Sequence, residues 1–175
     1  MAAAPHPPKT PGKLLRAISS WRYRRLWARM RLVLDADVLA AGFGSGRGAS
    51  RQLLLAVLDR EFTMLVSVPL MIECEAVLTR PEHLREVGIS RTGVDSVLDA
   101  LAAVIEPVQL QVLWRPRLKD PADEMVLETA VNGGADYLVT FNLRHLAVAA
   151  GEFGISVFPP GALWRRIRGL NHEKK

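Results

Sequence analysis

Two carboxylates follow an apolar run of the sequence and lie two residues apart. The run, residues 32–34, has the composition of a buried strand, and Asp35 and Asp37 come after it. Buried strands rarely tolerate charge, and in open α/β sheets ligands bind at the carboxyl ends of the strands. The spacing therefore predicts a catalytic or metal-binding edge, provided that further acidic residues gather beside it.

Three further polar clusters could reach the same edge. They are Glu73 with Glu75, Asp120 with Asp123 and Glu124, and Asn142. Residues two apart on a helix point to different faces, so we expect at most one of Glu73 and Glu75 to face the site. The ordinary alternative is that Asp120 or Asp123 only caps a helix N-terminus. Four clusters at matching positions favour a shared site over four unrelated roles.

Carboxylates that lie close together repel one another and need a counter-charge. No histidine pair or cysteine cluster in the sequence suggests zinc. The expected counter-charge is a hard divalent cation such as Mg²⁺ or Mn²⁺. Such a cation suits phosphodiester hydrolysis because it lowers the pKa of the attacking water and offsets charge on the phosphorus.

The chain is long enough for one well-buried domain and too short for two of ordinary size. It has 175 residues, of which 49% are hydrophobic, and a single cysteine, Cys74, which cannot form an internal disulfide. No apolar run approaches the roughly 18 residues that a membrane helix needs. We therefore expect a cytoplasmic domain without stable membrane association.

Positive charge is concentrated at the N-terminus. Residues 1–30 hold seven basic side chains and no acidic one, while the whole chain carries +5, so the remainder is slightly acidic. We expect residues 1–29 to be an extension, with a disordered start and a basic amphipathic helix over 14–30. It could be a membrane- or RNA-contacting arm, a transit peptide, or a stretch ahead of a true start at Met30, which we favour. The domain is predicted over 30–168, with a tail at 169–175.

Hydrophobic and turn patterns predict alternating strands and helices. A Gly-rich turn over 42–48 lacks the pattern of a phosphate-binding loop and is expected to be a flexible connection. Strands are predicted at 31–35, 63–67, about 108–114, 136–140 and 155–158. Helices are predicted at 50–60, 68–79 with Ser67 as cap, 93–105, 121–133, and from 142 and 161 onward. This alternation indicates an α/β fold with a mostly parallel sheet and helices on both faces.

The order and spacing of four pieces resemble the PIN-domain ribonucleases, in particular the toxin components of toxin–antitoxin systems. The resemblance covers about residues 31–163. The pieces are Leu-Val-Leu-Asp-Ala-Asp-Val-Leu at 32–39, the stretch 67–81, Asp-Pro-Ala-Asp at 120–123 with Ala130, and Ala-Asp-Tyr-Leu-Val-Thr at 135–140. The resemblance implies a PIN-like fold.

The resemblance also implies roles for single residues. Asp35, Glu73 and Asp123 match the three central metal-binding acids of the family. Asp37 stands where the family usually has Asn, and Asn142 stands where many members have a fourth Asp. Asn142 could still offer a neutral oxygen to Mg²⁺ or Mn²⁺, at lower affinity. Further possible contributors are Asp37, which could add a ligand or only replace a hydrogen-bonding side chain, Asp120, and Thr140, which could orient a water or a ligand.

The implied activity is metal-dependent cleavage of RNA by the toxin of a toxin–antitoxin pair. The implied partners are an RNA substrate, a cognate antitoxin protein and a second copy of the chain in a homodimer. Arginines near the groove could contact the RNA backbone, although for any one of them a solvated surface position is the simpler interpretation. They are Arg47, Arg51, Arg80 and Arg144.

Two other functions remain open at the level of sequence. Asp35 and Asp37 could be the Asp-x-Asp of a haloacid-dehalogenase-like phosphatase, but the later Lys and acidic pair of that family have no clear counterpart. A degenerate PIN domain that binds RNA or a protein without cleavage is the other alternative, and Asn142 is its main support.

Overall fold

The computed structural model of the protein describes residues 30–44, 46–112, 118 and 120–170. The predicted N-terminal helix and most of the predicted tail lie outside these residues. No helix among the described residues combines the length and the apolar character needed to cross a bilayer.

Five strands and eight helices alternate along the described residues. The strands are β1 (Arg31–Leu34), β2 (Thr63–Ser67), β3 (Glu106–Val108), β4 (Tyr137–Val139) and β5 (Ser156–Phe158). The first helices are α1 (Ala36–Gly44), α2 (Ala49–Leu58), α3 (Val68–Leu78) and α4 (Pro81–Val87). The others are α5 (Arg91–Ala102), α6 (Pro121–Gly133), α7 (Leu143–Gly151) and α8 (Pro160–Leu170).

The strands form one parallel sheet in the order β3-β2-β1-β4-β5. The chain winds from β1 outward to β3, then returns to β4 and winds outward to β5. Because crossovers between parallel strands are almost always right-handed, this order implies that α6 and α7 cover one face and α1 to α5 the other. The predicted α/β class is therefore confirmed. The winding direction reverses between β1 and β4, and at such a point the strand ends leave a crevice open to ligands.

The central strand β1 and its neighbour β4 are buried over most of their length. Residues 32–34, Leu138 and Val139 have no exposed surface. Each large apolar side chain buried in this way stabilises the fold by about 1.5–3 kcal/mol relative to leaving it exposed. Helix α6 packs across β1, β2, β3 and β4. It approaches closely because Gly133 has no Cβ, which would lie 2.9 Å from both Leu65 and Val108.

Local sequence signals fix several helix ends as predicted. Ser67 Oγ accepts a hydrogen bond from Leu70 N–H at the start of α3. Asp120 Oδ1 accepts one from Ala122 N–H at the start of α6. Gly134, with φ of 60°, ends α6 in the left-handed region that glycine adopts without strain.

The Gly-rich stretch was predicted wrongly in part, because α1 runs through Gly42 and Gly44. A Cβ at Gly42 would lie 3.3 Å from the Ser50 carbonyl oxygen of α2. The glycine therefore permits close packing of two helices rather than a flexible turn.

Other differences also have local causes. Helix α4 was not predicted, because Pro81 both follows the end of α3 and occupies the first turn of the next helix. Helix α5 begins at Arg91 rather than 93 because Ser90 Oγ accepts from Gly93 N–H. Strand β3 lies at 106–108, residues 109–112 of the predicted strand 108–114 are not in a strand, and 113–114 lie outside the described residues. Pro107 is tolerated in β3 because it is an edge strand.

Candidate active site

Asp35 lies at the carboxyl end of β1, beside the end of β4. Its N–H donates to the Val139 carbonyl at 3.0 Å, and its own carbonyl accepts from Val38 and Leu39 N–H as α1 begins. The strand ladder on one side and the helix on the other thus fix its backbone. Asp35 was predicted at this edge, and the structure places it at the point where the winding reverses.

The register between β1 and β4 decides which side chain faces Asp35. Leu34 pairs with Val139, so the next positions along the two strands are Asp35 and Thr140. The Thr140 hydroxyl donates to Asp35 Oδ2 at 2.6 Å. A buried threonine at this position therefore orients one oxygen of the carboxylate.

Asn142 continues the network from Thr140 to Asp123. Its backbone N–H donates to Thr140 Oγ1 at 2.9 Å. Its side-chain nitrogen lies 3.0 and 2.8 Å from the two oxygens of Asp123 and donates to the carboxylate. Asp35 and Asp123 are thus joined through two polar residues of the β4–α7 connection.

Asp123 lies in the first turn of α6 and is only 5% exposed. A carboxylate near a helix N-terminus is stabilised by the helix dipole, which offsets part of the cost of burial. Asp120, three residues earlier, is exposed and uses its side chain to cap the helix. Of these two acids, Asp123 joins the network and Asp120 has the capping role.

Negative charge accumulates around Asp35. Burial raises the pKa of Asp35, and the neighbouring charges of Asp37 and Asp123 raise it further, while the hydrogen bond from Thr140 opposes the shift. Asp37 itself is exposed in the first turn of α1. Two acids predicted from separate parts of the sequence therefore act electrostatically on Asp35.

Helix α3 carries Glu73 next to a buried thiol that also lies near Asp35, although Glu73 is not among the charges that shift the pKa of Asp35 itself. Burial raises the pKa of Cys74 to about 12, and the charges of Asp35 and Glu73 contribute to the shift. Both carboxylates are thus close enough to act on one buried thiol. Glu75 pairs instead with Arg91 at 3.2 Å on the exposed side of the helix. The two glutamates therefore have different partners, Arg80 and Arg91, and the expectation that at most one of them faces the site stays a prediction.

The sequence around these acids also matches a known protein family. The sequence model of the PIN domain matches residues 31–144, more than half of the chain and a stretch that includes all these acids. The chain belongs to the PIN domain family. PIN domains are generally nucleases, and PIN-domain nucleases generally use divalent metal ions. No curated protein is significantly similar to the chain.

A histidine that was not predicted also lies in the site of this PIN domain. His145 Nδ1 lies 3.3 Å from Asp123 Oδ2 and 3.3 Å from Asn142 Nδ2. The signal was present in the sequence, because residues three apart at a helix start share a face. His145 follows Asn142 by three positions at the beginning of α7.

The predicted arginines fall at different places in the PIN domain. Arg80 Nη2 lies 3.8 Å from Glu73 Oε1. Arg144 is exposed in the first turn of α7, next to the acid network. Arg47 and Arg51 lie past the far end of α1, and within the described residues neither makes an ion pair with these acids.

The donor set of the site fits a hard divalent cation. Asp35, Glu73 and Asp123 offer carboxylate oxygens, the ligands that Mg²⁺ and Mn²⁺ prefer. Among the described residues, however, no three His, Cys, Asp or Glu side chains converge on one ion position. Asn142 directs its amide nitrogen at Asp123. Holding an ion between these carboxylates would therefore need side chains to rotate from the positions seen here.

Proposed function

We propose that this PIN domain is a divalent-metal-dependent endoribonuclease. The observation that carries the proposal is the hydrogen-bonded chain from Asp35 through Thr140 and Asn142 to Asp123 at the reversal point of the sheet. It holds two carboxylates at one strand edge, where burial and the charge of Asp123 raise the cost of ionising Asp35. A divalent cation would remove that cost. A separate support is that PIN domains are generally nucleases.

In this proposal Asp35, Glu73 and Asp123 hold Mg²⁺ or Mn²⁺, and Asn142 is a possible fourth ligand through its carbonyl oxygen. When bound, the cation would lower the pKa of the attacking water and offset charge on the phosphate. Thr140 keeps Asp35 in a fixed orientation. Asn142 does the same for Asp123 while its own backbone is tied to Thr140.

The proposal is tested with an unstructured RNA and the same sequence as DNA. We expect internal cleavage of the RNA with Mn²⁺ or Mg²⁺, none with EDTA, and restoration when the metal is returned. Cleavage of DNA alone would contradict the assignment of RNA as substrate. Cleavage that persists in EDTA would contradict the role of the metal.

We further propose that the protein is the toxin of a toxin–antitoxin pair and forms a homodimer. Apolar side chains suited to a protein contact lie one turn apart on α3, where Val68 and Ile72 are 72% and 62% exposed. We expect a dimer by analytical ultracentrifugation and a monomer after Ile72→Glu. Expression of the protein alone is expected to arrest cell growth. Co-expression of the adjacent gene, as the source of the antitoxin, is expected to relieve that arrest. A monomeric wild type would contradict the dimer.

A second candidate function is binding of RNA without cleavage. It is favoured by Asn142, whose amide donates to both oxygens of Asp123 and so already satisfies that carboxylate. Calorimetric titration separates the two functions, because absence of Mn²⁺ binding at millimolar concentration would support the inactive domain. Membership of the PIN family counts against the dehalogenase-like phosphatase.

A further inference from the structure

Phe141 is an exposed aromatic side chain between two residues of the acid network. It is 55% exposed, whereas the other aromatic side chains among the described residues are buried or half-buried. Its ring stacks on no other aromatic or cationic side chain in the described part of the chain. A single exposed apolar residue is ordinary on a protein surface. This one, however, lies between two residues that contact Asp35 and Asp123.

The backbone on both sides of Phe141 is fixed. Thr140 N–H donates to the Phe158 carbonyl at 3.1 Å, which extends the pairing of β4 with β5. Asn142 N–H donates to Thr140 Oγ1 at 2.9 Å. The ring is therefore attached to a short rigid segment, so little conformational freedom is lost when a ligand packs against it.

The same segment places Phe141 one residue away from each of the two side chains that contact the acids. Consecutive Cα atoms are about 3.8 Å apart, and the neighbours of Phe141 contact Asp35 and Asp123 directly. A phosphodiester that reacts at these acids would bring the base of an adjoining nucleotide within reach of the ring. Arg144, exposed three positions on, could contact the strand's next phosphate.

The negative charge of the site explains how such a contact would help to bind RNA. Without a bound cation, the carboxylates around Asp35 repel the phosphate backbone, so electrostatic attraction does not supply affinity at this point of the site. Stacking of a base on an aromatic ring supplies affinity without charge, and it tolerates every base because each has a flat π face. It requires a base that is not held in a duplex.

We propose that Phe141 stacks on an unpaired base next to the phosphodiester that is cut, and so positions the RNA strand over the acids. The inference rests on the proposed nuclease function and adds a substrate-binding residue to it. Phe141 has no part in the chemistry itself. Its removal should weaken binding and leave the chemical step largely intact.

The test combines variants of Phe141 with modified RNA. Binding is measured in EDTA with a labelled unstructured RNA of about 12 nucleotides, a length within the range of known single-strand sites. A series of the same RNA carries one abasic nucleotide at successive positions. Phe141→Ala removes the ring, Phe141→Tyr retains it, and Val148→Ala is the matched control because Val148 is a 75% exposed apolar residue of α7.

We expect Phe141→Ala to raise Kd and KM about 5- to 100-fold with little change in kcat. Phe141→Tyr and Val148→Ala should behave as the wild type. In the wild type, one abasic position should weaken binding by a similar factor, and this penalty should vanish in Phe141→Ala because both changes remove the same contact. Equal Kd for wild type and Phe141→Ala, or an unchanged abasic penalty, would overturn the inference.

The outcomes separate this inference from the proposed function. If the RNA is cut and the abasic penalty is the same in both proteins, only the stacking role of Phe141 is overturned. If the RNA is bound with the expected penalty and never cut, only the nuclease function is overturned. Failure of the wild type to bind RNA would overturn both.

Discussion

The hydroxyl of Thr140 donates a 2.6 Å hydrogen bond to Oδ2 of Asp35, across the junction of β4 and β1. The same oxygen of Thr140 accepts from Asn142 N–H. One buried hydroxyl thus orients a carboxylate and fixes the segment that contacts the second carboxylate, Asp123. The parallel register of the two strands places it there.

Replacing Thr140 with Val keeps the shape of the side chain and removes both hydrogen bonds. We expect a loss of about 1–3 kcal/mol in the free energy of unfolding, since the N–H of Asn142 loses its acceptor. Metal affinity or activity should fall about 10- to 100-fold, as for residues that orient metal ligands. Urea unfolding and Mn²⁺ calorimetry measure the two effects, with Thr140→Ser as the control that keeps the hydroxyl.

The raised pKa of Asp35 predicts a cost to the fold when it ionises. The ordinary value is 3.8, and a pKa above it in the folded state means that the folded protein loses stability as pH rises through the interval between the two values. In EDTA at neutral pH, Asp35→Asn should therefore be more stable by about 0.5–2 kcal/mol. The gain should shrink as the pH falls toward the ordinary value. A variant less stable than the wild type at neutral pH would contradict this account.

Changing Asn142 to Asp adds a carboxylate against Asp123. In EDTA the two like charges and the lost amide donors should lower the free energy of unfolding by about 1–3 kcal/mol. With Mn²⁺ the added oxygen ligand and charge should raise affinity about tenfold or more. Asn142→Ala is the control, because it loses the amide donors without adding charge. Equal Mn²⁺ affinities of the wild type and Asn142→Asp would rule out a cation at this position.

The thiol of Cys74 should be inert in the folded protein. It is 1% exposed, and its pKa of about 12 leaves it protonated at physiological pH. Reaction with a disulfide reagent near pH 8 should be at least about 100-fold slower than in denaturant. Rapid reaction of the native protein would show that Cys74 is reached without unfolding.

The parts of the site that could be predicted from the sequence are those marked by a local sequence signal. Asp35, Asn142 and Asp123 each flank a strand end or a helix start, and a parallel sheet brings such positions together. The link between them was not predictable, because the Thr140 bond depends on the exact register of β1 and β4. His145 could have been found from its spacing to Asn142.

The fold was harder to predict where one residue serves two elements. Pro81 both follows α3 and starts α4, and Gly42 lies inside α1 where helix packing rather than backbone freedom requires it. The site's electrostatics could not be predicted either, since the shifts at Asp35 and Cys74 depend on burial.

The most direct test of the central claim, that Asp35 supports metal-dependent RNA cleavage, is a single-turnover assay in Mn²⁺. It compares the wild type, Asp35→Asn and Asp95→Asn, an exposed acid of α5 that serves as the matched control. Urea unfolding of each protein shows that the fold is intact. We predict that Asp35→Asn cuts RNA at least about 100-fold more slowly, while Asp95→Asn matches the wild type. Cleavage by Asp35→Asn at the wild-type rate would contradict the account.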